Sequence, residues 1–353
     1  MRIVELPDVV EFESKDINEK YVHSVVIIKD VPAVPLRFSA ESRSVGIPDW
    51  DGPDYQYSMV TTLFFEDGST FNHTYLDFSP GTHDYETQER LCRPRIPIKK
   101  MQVDYFFEHK KGKVAYRYFK IEKASARAKP DKRIVLLGAS NIITSYLPIQ
   151  YRLDTLLAEK LKKAYPNLDI EVENSGVGGE TVKRLIESRR YERDLLTLDR
   201  IDVVFVSYGG NDSNRYDVET FETYHRELIT RLRSDFPGIR IVLHPGTWVD
   251  YPEHYSRDMN EQLRPYYDVL RKLASEADGL VDIPEILKRE VAAGNWDLHY
   301  RSNPVGKLIL DSRFDKEHEN DPTWFSNIHH NPNANRIIAQ AEFDCIMGGN
   351  LLS

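Results

Sequence analysis

A serine and a histidine pair stand at positions where they could carry out acyl transfer. Ser140 follows the apolar run 134–137 and Gly138, and His329 and His330 precede a helical stretch near the C-terminus. A serine hydroxyl becomes nucleophilic when a base takes its proton, and histidine does this near neutral pH. Serine is also a common helix N-cap, so its type alone leaves both roles open.

Two glycine-rich segments could stabilise the negative charge that forms on the carbonyl oxygen. They read "ENSGVGGET" and "YGGNDSN" and lie at residues 173–181 and 208–214. The backbone N–H of Gly179 and the side-chain amide of Asn211 are candidate donors, with the N–H of Ser140 as a third. Taken singly, such segments are also compatible with a tight turn or a helix cap.

These residues need a scaffold that brings the ends of several strands together. From Arg133 onward, five apolar strand-like segments alternate with segments of helical periodicity, which predicts a parallel sheet with helices on both faces. In such a sheet the loops after the strands share one edge, and ligands bind there. The five segments are "RIVLL", "DIEVEN", "DVVFVSY", "IRIVLHP" and "GLVDI".

The first part of the chain follows a different pattern. Its short segments are rich in β-branched and aromatic residues and are separated by Gly, Pro or Asp turns, which predicts an antiparallel β-sandwich. The polar stretch "KASARAKPDK" precedes the first strand of the α/β part and is a candidate linker. We therefore predict two domains, 1–128 and 129–353.

The order and spacing of these motifs resemble those of the SGNH hydrolases, also called the GDSL esterase/lipase family, over about residues 131 to 349. The resemblance implies a flavodoxin-like, three-layer α/β/α domain with a five-stranded parallel sheet. Four blocks carry it: Gly138-Ala139-Ser140; Asn174, Gly176, Gly179 and Glu180; Gly209, Gly210, Asn211 and Asp212; and the histidines before Asn335-Arg336-Ile337-Ile338-Ala339.

By the same resemblance, Ser140 is the nucleophile, and Gly179 and Asn211 are oxyanion donors. Counting back from Asn335 without gaps makes His329 the base and puts Ser326 where the family has an orienting aspartate. A register shifted by one makes His330 the base and Asn327 its partner. Neither register offers a carboxylate, so the candidates for the third position are a backbone carbonyl or an aspartate of the preceding loop. The nearest such aspartates are Asp321 and Asp315.

Residues 78–124 resemble the second half of jelly-roll carbohydrate-binding modules. Four aromatic residues of this domain could form a platform on which a sugar stacks: Trp50, Tyr55, Tyr57 and Tyr85. The alternative is that they are core residues. Tyr118 and Lys120 stand where the resemblance expects an aspartate pair. The domain is therefore expected either to bind carbohydrate or to shape the cleft.

The leading hypothesis is a serine esterase that removes a small acyl group, acetyl by preference, from a carbohydrate or another small ester. His244, Trp248 and Trp324 are its candidate substrate contacts. One alternative is an O-acyltransferase of the same fold that acts on a sugar. A second alternative, motivated by the missing aspartate, is a carbohydrate-binding protein with an impaired hydrolase domain.

Composition excludes several other classes. A net charge of −9 disfavours general binding to nucleic acid, and no apolar run is long enough to span a membrane. "GVGGET" lacks the dinucleotide-binding spacing, and no Walker lysine follows a glycine loop, so no cofactor is predicted. The histidines 244, 254 and 299 lack metal-ligand spacing. The acidic N-terminal stretch shows no export signal, so a cytoplasmic protein is expected, or a secreted one if a signal precedes this sequence.

Overall fold

The computed structural model describes the chain in two compact units, Met1–Ala128 and Lys129–Ser353. The described residues are 2–16, 19–47, 57–68, 70–92, 94, 96–108, 111–124, 129–144, 147, 149–188, 190–196, 198–248, 257–294, 298–302, 308–309 and 325–353.

The first unit consists of two antiparallel sheets. One sheet has the order β1-β9-β4-β7, with β2 also paired to β9, and the other has the order β3-β8-β5-β6. The strands are β1 (Arg2–Leu6), β2 (Val10–Ser14), β3 (Lys20–Val31), β4 (Leu36–Ile47), β5 (Tyr57–Phe65), β6 (Thr70–Asp77), β7 (Gly81–Cys92), β8 (Ile98–Glu108) and β9 (Gly112–Lys123).

The core of the first unit is made by both sheets. Phe38 and Phe119 from one sheet and Met59 and Phe107 from the other belong to one buried apolar cluster. Alternate residues of β4 are buried, and Leu36, Phe38 and Ala40 belong to this cluster, as expected for a strand buried on one side. The unit is therefore a β-sandwich, in agreement with the sequence pattern.

Two of the four aromatics proposed for sugar stacking can be placed. Tyr57 is buried, and its hydroxyl is hydrogen-bonded to Ser42 Oγ at 2.7 Å, so for this residue the core interpretation applies. Tyr85 is half-buried beneath Arg117, whose guanidinium carbon lies 3.4 Å from the ring centroid. Trp50 and Tyr55 lie outside the described residues.

The second unit contains a parallel five-stranded sheet in the order β11-β10-β12-β13-β14. Its strands are β10 (Lys132–Gly138), β11 (Ile170–Asn174), β12 (Val203–Ser207), β13 (Arg240–Leu243) and β14 (Gly279–Leu280). Its helices are α1 (Ser140–Ile143), α2 (Leu153–Ala164), α3 (Val182–Glu187), α4 (Val218–Asp235), α5 (Arg257–Leu273), α6 (Ile283–Ala292) and α7 (Pro332–Gly348). A small antiparallel sheet, β16-β15-β17, comprises β15 (His299–Ser302), β16 (Leu308–Ile309) and β17 (Phe325–His330).

Helices cover both faces of the parallel sheet. Val135 and Leu137 of β10 face a cluster formed with α3, α4 and α5. Ile134 and Leu136 of the same strand face a second cluster, formed with α2, α6 and α7. A strand that is apolar on both sides reads as a continuous apolar run, which is why these strands were visible in the sequence. The three-layer α/β/α prediction is confirmed.

The structure differs from the sequence pattern in three places. The segment 181–198, which has helical periodicity in the sequence, divides into α3 and a π-helical turn, Tyr191–Leu195. Arg190, which directly precedes this turn, contacts the buried carboxylate of Glu180. Helix α6 and the small β15–β17 sheet have no counterpart among the predicted elements. Within the described part of the chain, no helix is long and apolar enough to cross a membrane.

Candidate active site

Ser140 is the first residue of α1, directly after strand β10. The N-cap position belongs to Ala139, which makes no side-chain cap hydrogen bond, so Ser140 is not serving as the cap. Gly138 makes the tight turn possible, because a Cβ there would lie 2.5 Å from the Ser207 carbonyl oxygen and from Ile142. The Ser140 hydroxyl is half-buried and faces a partner on a distant part of the chain.

That partner is His329, near the end of β17. The distance between His329 Nε2 and Ser140 Oγ is 2.9 Å, within the range of a hydrogen bond between a nucleophile and its base. Burial lowers the pKa of His329 to about 4, so its imidazole is neutral at neutral pH and can accept a proton. The two residues are 189 positions apart in sequence.

His330, the alternative base, points the other way. Neighbouring residues of a strand face opposite sides, and His330 is 1% exposed. Its Nε2 lies 2.9 Å from Thr247 Oγ1 rather than near Ser140. The geometry therefore brings His329 to Ser140 and leaves His330 in the interior.

Asn141, next to Ser140, contacts the histidine strand directly. Its side-chain Nδ2 donates to the carbonyl oxygen of Ile328 at 3.2 Å. This bond joins the residue after Ser140 to the residue before His329, so it links the backbones that carry the two candidate catalytic side chains. Sequence reasoning gave Asn141 no role, although it directly follows the first block.

The second block is tied to the serine helix. Asn174 Nδ2 donates to the Ile142 carbonyl oxygen at 2.9 Å, and its Oδ1 accepts the N–H of Gly176 at 3.1 Å. Gly176 must be small, because a Cβ there would overlap the backbone nitrogen of Ile143. Gly179 has φ +72°, a conformation that favours glycine, and the space beside its Cα is open.

The third block orients Asn211 against the second. Asn211 Nδ2 donates one hydrogen to the Glu180 carbonyl oxygen at 3.1 Å, so its amide has a second hydrogen for another acceptor. The carboxylate of Asp212 accepts the backbone N–H groups of Val182 and Gly209, each at 3.0 Å. Burial raises the pKa of Asp212 to about 6, against the opposing effect of these two donors.

A buried ion pair stabilises the loop of the second block, which holds Asn211 of the third. The Glu180 side chain is fully buried and pairs with Arg190, which also contacts Asp194 at 2.7 Å. A buried charge is tolerated when it is paired in this way, and removing one partner would strand the other. The backbone oxygen that holds Asn211 therefore belongs to a residue that is itself firmly held.

His244 does not lie where a substrate contact was expected. It is 2% exposed, and its Nε2 lies 3.4 Å from Oε1 of the buried Glu342 on α7. His244 directly follows strand β13, and its side chain faces Glu342 of α7. Burial raises the pKa of Glu342, partly offset by His244.

The remaining predicted site residues have the following positions. Trp248 is half-buried against the apolar cluster on the α2, α6 and α7 side, and Lys288 Nζ lies 5.9 Å from its ring centroid. Trp324 and Asp321 fall outside the described residues. Among the residues that the structure covers, no three His, Cys, Asp or Glu side chains converge in a way that could hold a metal ion.

Comparison with known proteins adds a family match. The model of the GDSL-like lipase/acylhydrolase family matches residues 148–337, which contain His329, Gly179 and Asn211, while Ser140 lies just before the matched range. A search of curated proteins found no match.

Solved structures with similar folds include two carbohydrate esterases. An acetylxylan esterase from Geobacillus stearothermophilus is 21% identical, with a TM-score of 0.42, over 61% of this chain and 94% of that one. A family two carbohydrate esterase from Clostridium thermocellum is 11% identical, with a TM-score of 0.43, over 97% of this chain and 98% of that one. Similarities at this level do not identify a substrate.

Proposed function

Since the chain belongs to the GDSL-like lipase/acylhydrolase family and is an ester-hydrolysing serine hydrolase, we propose that Ser140 is its nucleophile and His329 its base. The observation that carries this assignment is the 2.9 Å separation between Ser140 Oγ and His329 Nε2. A neutral imidazole at that distance can take the hydroxyl proton as the oxygen attacks.

The first half-reaction transfers the acyl group to the enzyme. Ser140 Oγ bonds to the acyl carbon while its proton moves to His329 Nε2, and the carbonyl oxygen becomes an oxyanion. The intermediate then collapses, the bond to the alcohol breaks, and the imidazolium returns the proton to the leaving oxygen. In the second half-reaction, water attacks the acyl-enzyme with His329 again as base, and Ser140 is regenerated.

Three N–H groups are proposed to stabilise the oxyanion. Ser140 is the first residue of α1, where backbone N–H groups lack an intrahelical acceptor. Gly179 offers a backbone N–H in an open loop, and Asn211 offers the amide hydrogen that Glu180 does not use. Such preorganised donors act on the charge that develops in the transition state.

We further propose that the substrate is a small acyl ester, acetyl by preference, of a carbohydrate. Support for the sugar comes from the resemblance of residues 78–124 to carbohydrate-binding modules. The proposal is tested by acetate release from a panel of acetylated glycans and p-nitrophenyl esters of increasing chain length. Product analysis with an added acceptor sugar separates hydrolysis from acyl transfer to that sugar.

The matched control is Ser140→Ala. This variant should lose about a thousandfold or more of kcat and all labelling by a fluorophosphonate probe, with its thermal midpoint retained. If Ser140→Ala kept more than about a tenth of wild-type activity, the nucleophile assignment would be wrong. If the enzyme hydrolysed short p-nitrophenyl esters well but released acetate from none of the glycans, the proposal of a carbohydrate substrate would be rejected and the proposal of an esterase would stand.

A further inference from the structure

The strand that carries His329 is irregular at the histidine. His299 of β15 pairs with His330 of β17, and Arg301 pairs with Ser326, so two steps along β15 correspond to four along β17. His329 lies inside this bulge, where regular ladder hydrogen bonds are interrupted. Its position must therefore be fixed by neighbouring side chains in addition to the sheet.

A single hydroxyl lies between the two histidines at the end of the bulge. Thr247 Oγ1 is 2.9 Å from His330 Nε2 and 2.9 Å from His299 Nε2, and all three residues are buried. The two imidazole rings are 5.3 Å apart. Burial lowers the pKa of His299 to about 3 and that of His330 well below its usual value, so both rings are neutral at neutral pH.

One hydroxyl between two neutral imidazoles fixes their tautomers. A threonine hydroxyl has one hydrogen to donate and can accept from a neighbour, so one Nε2 must carry a hydrogen and the other must not. His330 Nδ1 is buried and has no hydrogen-bond partner among the described residues, and a bare lone pair there costs less than an unpaired N–H. His330 is therefore the Nε2–H tautomer and the donor, and His299 is the Nδ1–H tautomer and the acceptor.

Thr247 is itself held in place from the other side of the sheet. Its backbone N–H donates to the hydroxyl oxygen of Tyr267, on α5, at 3.0 Å. Gly246 allows this approach, because a Cβ there would lie 2.8 Å from the Tyr267 oxygen. The Thr247 hydroxyl is thus a rigid point to which the end of β17 can be attached.

We propose that Thr247 is a positioning residue for the reaction: by bridging His330 and His299, it holds the bulged end of β17 so that His329 meets Ser140. The proposal rests on the proposed roles of Ser140 and His329. It predicts that the hydroxyl affects the rate of the chemical step and leaves substrate binding nearly unchanged.

The test compares Thr247→Val, which keeps the shape and removes the hydroxyl, with Thr247→Ser, which keeps the hydroxyl. We expect Thr247→Val to lower kcat about 10- to 100-fold with KM within about threefold of wild type, and Thr247→Ser to stay within about threefold in both. Thr61→Val, a change at an equally buried threonine of the first unit, is the control and should leave kcat unchanged.

Three kinetic outcomes overturn the proposal. They are full kcat in Thr247→Val, an equal loss in Thr247→Ser, and a change confined to KM. Fluorophosphonate labelling of wild type and Ser140→Ala in the same series separates this question from the nucleophile assignment. If Ser140→Ala were active although the probe did not label it, the proposed role of Ser140 would be rejected. The kinetics of the Thr247 variants would then still show whether the Thr247 hydroxyl affects the rate.

A spectroscopic measurement needs no variant to fold. Long-range ¹H–¹⁵N spectra of histidine-labelled wild type at neutral pH should show one Nδ1–H tautomer, His299, and one Nε2–H tautomer, His330. An Nε2–H tautomer at both His299 and His330, or protonation of either of these two rings, in the wild type at neutral pH would overturn the bridging arrangement.

Discussion

The side-chain amide of Asn141 donates to the carbonyl oxygen of Ile328 at 3.2 Å, joining two residues that are 187 positions apart. Each of them is the immediate neighbour of a proposed catalytic residue, Ser140 or His329. A hydrogen bond in this place sets the distance between the attacking oxygen and its base, because both flanking backbones are fixed by it.

Removal of this bond is the first prediction. Asn141→Ala should reduce kcat about tenfold, because the loss of one positioning hydrogen bond costs on the order of 1 kcal/mol or somewhat more. The probe-reactive serine should remain, so slow fluorophosphonate labelling is expected rather than none. Steady-state kinetics with p-nitrophenyl acetate provide the measurement, and wild-type kcat in Asn141→Ala would contradict the role.

The proposed oxyanion donor gives a second prediction. Asn211→Ala should lower kcat roughly 100- to 1,000-fold and alter KM little, because the amide is used when charge develops on the carbonyl oxygen. Asn214→Ala is a suitable control, since this exposed side chain contacts the neighbouring Gly210 carbonyl oxygen. A loss that appears in KM alone would assign Asn211 to substrate binding or loop structure.

The two adjacent histidines should respond differently to substitution. His329→Ala should be nearly as inactive as Ser140→Ala, because the proposed base beside the Ser140 hydroxyl is removed. His330→Ala should lose roughly 2–4 kcal/mol of unfolding free energy, because a buried ring is removed and Thr247 loses a partner. The measurements are the thermal midpoint of each variant and its kcat at a temperature below the melting range. If His330→Ala were inactive and His329→Ala active, His330 would be the base.

Activity should persist into mildly acidic solution. The base works only when neutral, and burial lowers the pKa of His329 to about 4. On the acid side, the midpoint of the pH profile of kcat/KM should therefore lie below the ordinary histidine pKa of about 6.5. A profile on a substrate without titratable groups measures this, and a midpoint near or above about 7 would show that a carboxylate partner such as Asp321 raises the pKa of the base.

Stability should decline as the pH falls below about 6.5. Burial lowers the pKa of His225 to about 4 and that of His299 to about 3, so between those values and about 6.5 the unfolded chain binds protons that the folded chain does not. Asp212 acts in the opposite direction, because its pKa is raised to about 6 and the folded state holds its proton more tightly. Glu342, whose pKa burial also raises, acts in the same direction as Asp212. Among the described residues, four histidines with a lowered pKa, His225, His299, His329 and His330, outnumber these two carboxyl groups, so a net loss of stability is expected in acid.

His225→Leu provides the check on this slope. His225 is buried in α4 with its Nδ1 hydrogen-bonded to the Phe221 carbonyl oxygen, and Leu has a similar volume without a titrating group. The variant should melt with a weaker dependence on pH between about 4 and 6.5, by up to about 1.4 kcal/mol per pH unit. An unchanged slope would mean that His225 does not titrate in this range.

The sequence by itself determined the scaffold and the loops that carry the site. Strands buried on both faces appear as apolar runs such as 134–137, and the glycines that follow them mark tight turns, so both features are local and readable. Strand β17 was missed because its pairing with β15 is a long-range contact. Helix α6 was missed although it has local signals, an Asp282 N-cap and Pro284 in its first turn.

Only the tertiary structure decided which histidine meets the serine and what holds it there. His329 and His330 are identical in type and adjacent in sequence, so the choice depends on which way the strand turns at the bulge. That orientation is set by Thr247 and Asn141, through contacts that span 83 and 187 positions. Contacts of this kind leave no local pattern, because they depend on how separate elements pack and not on the residues beside them.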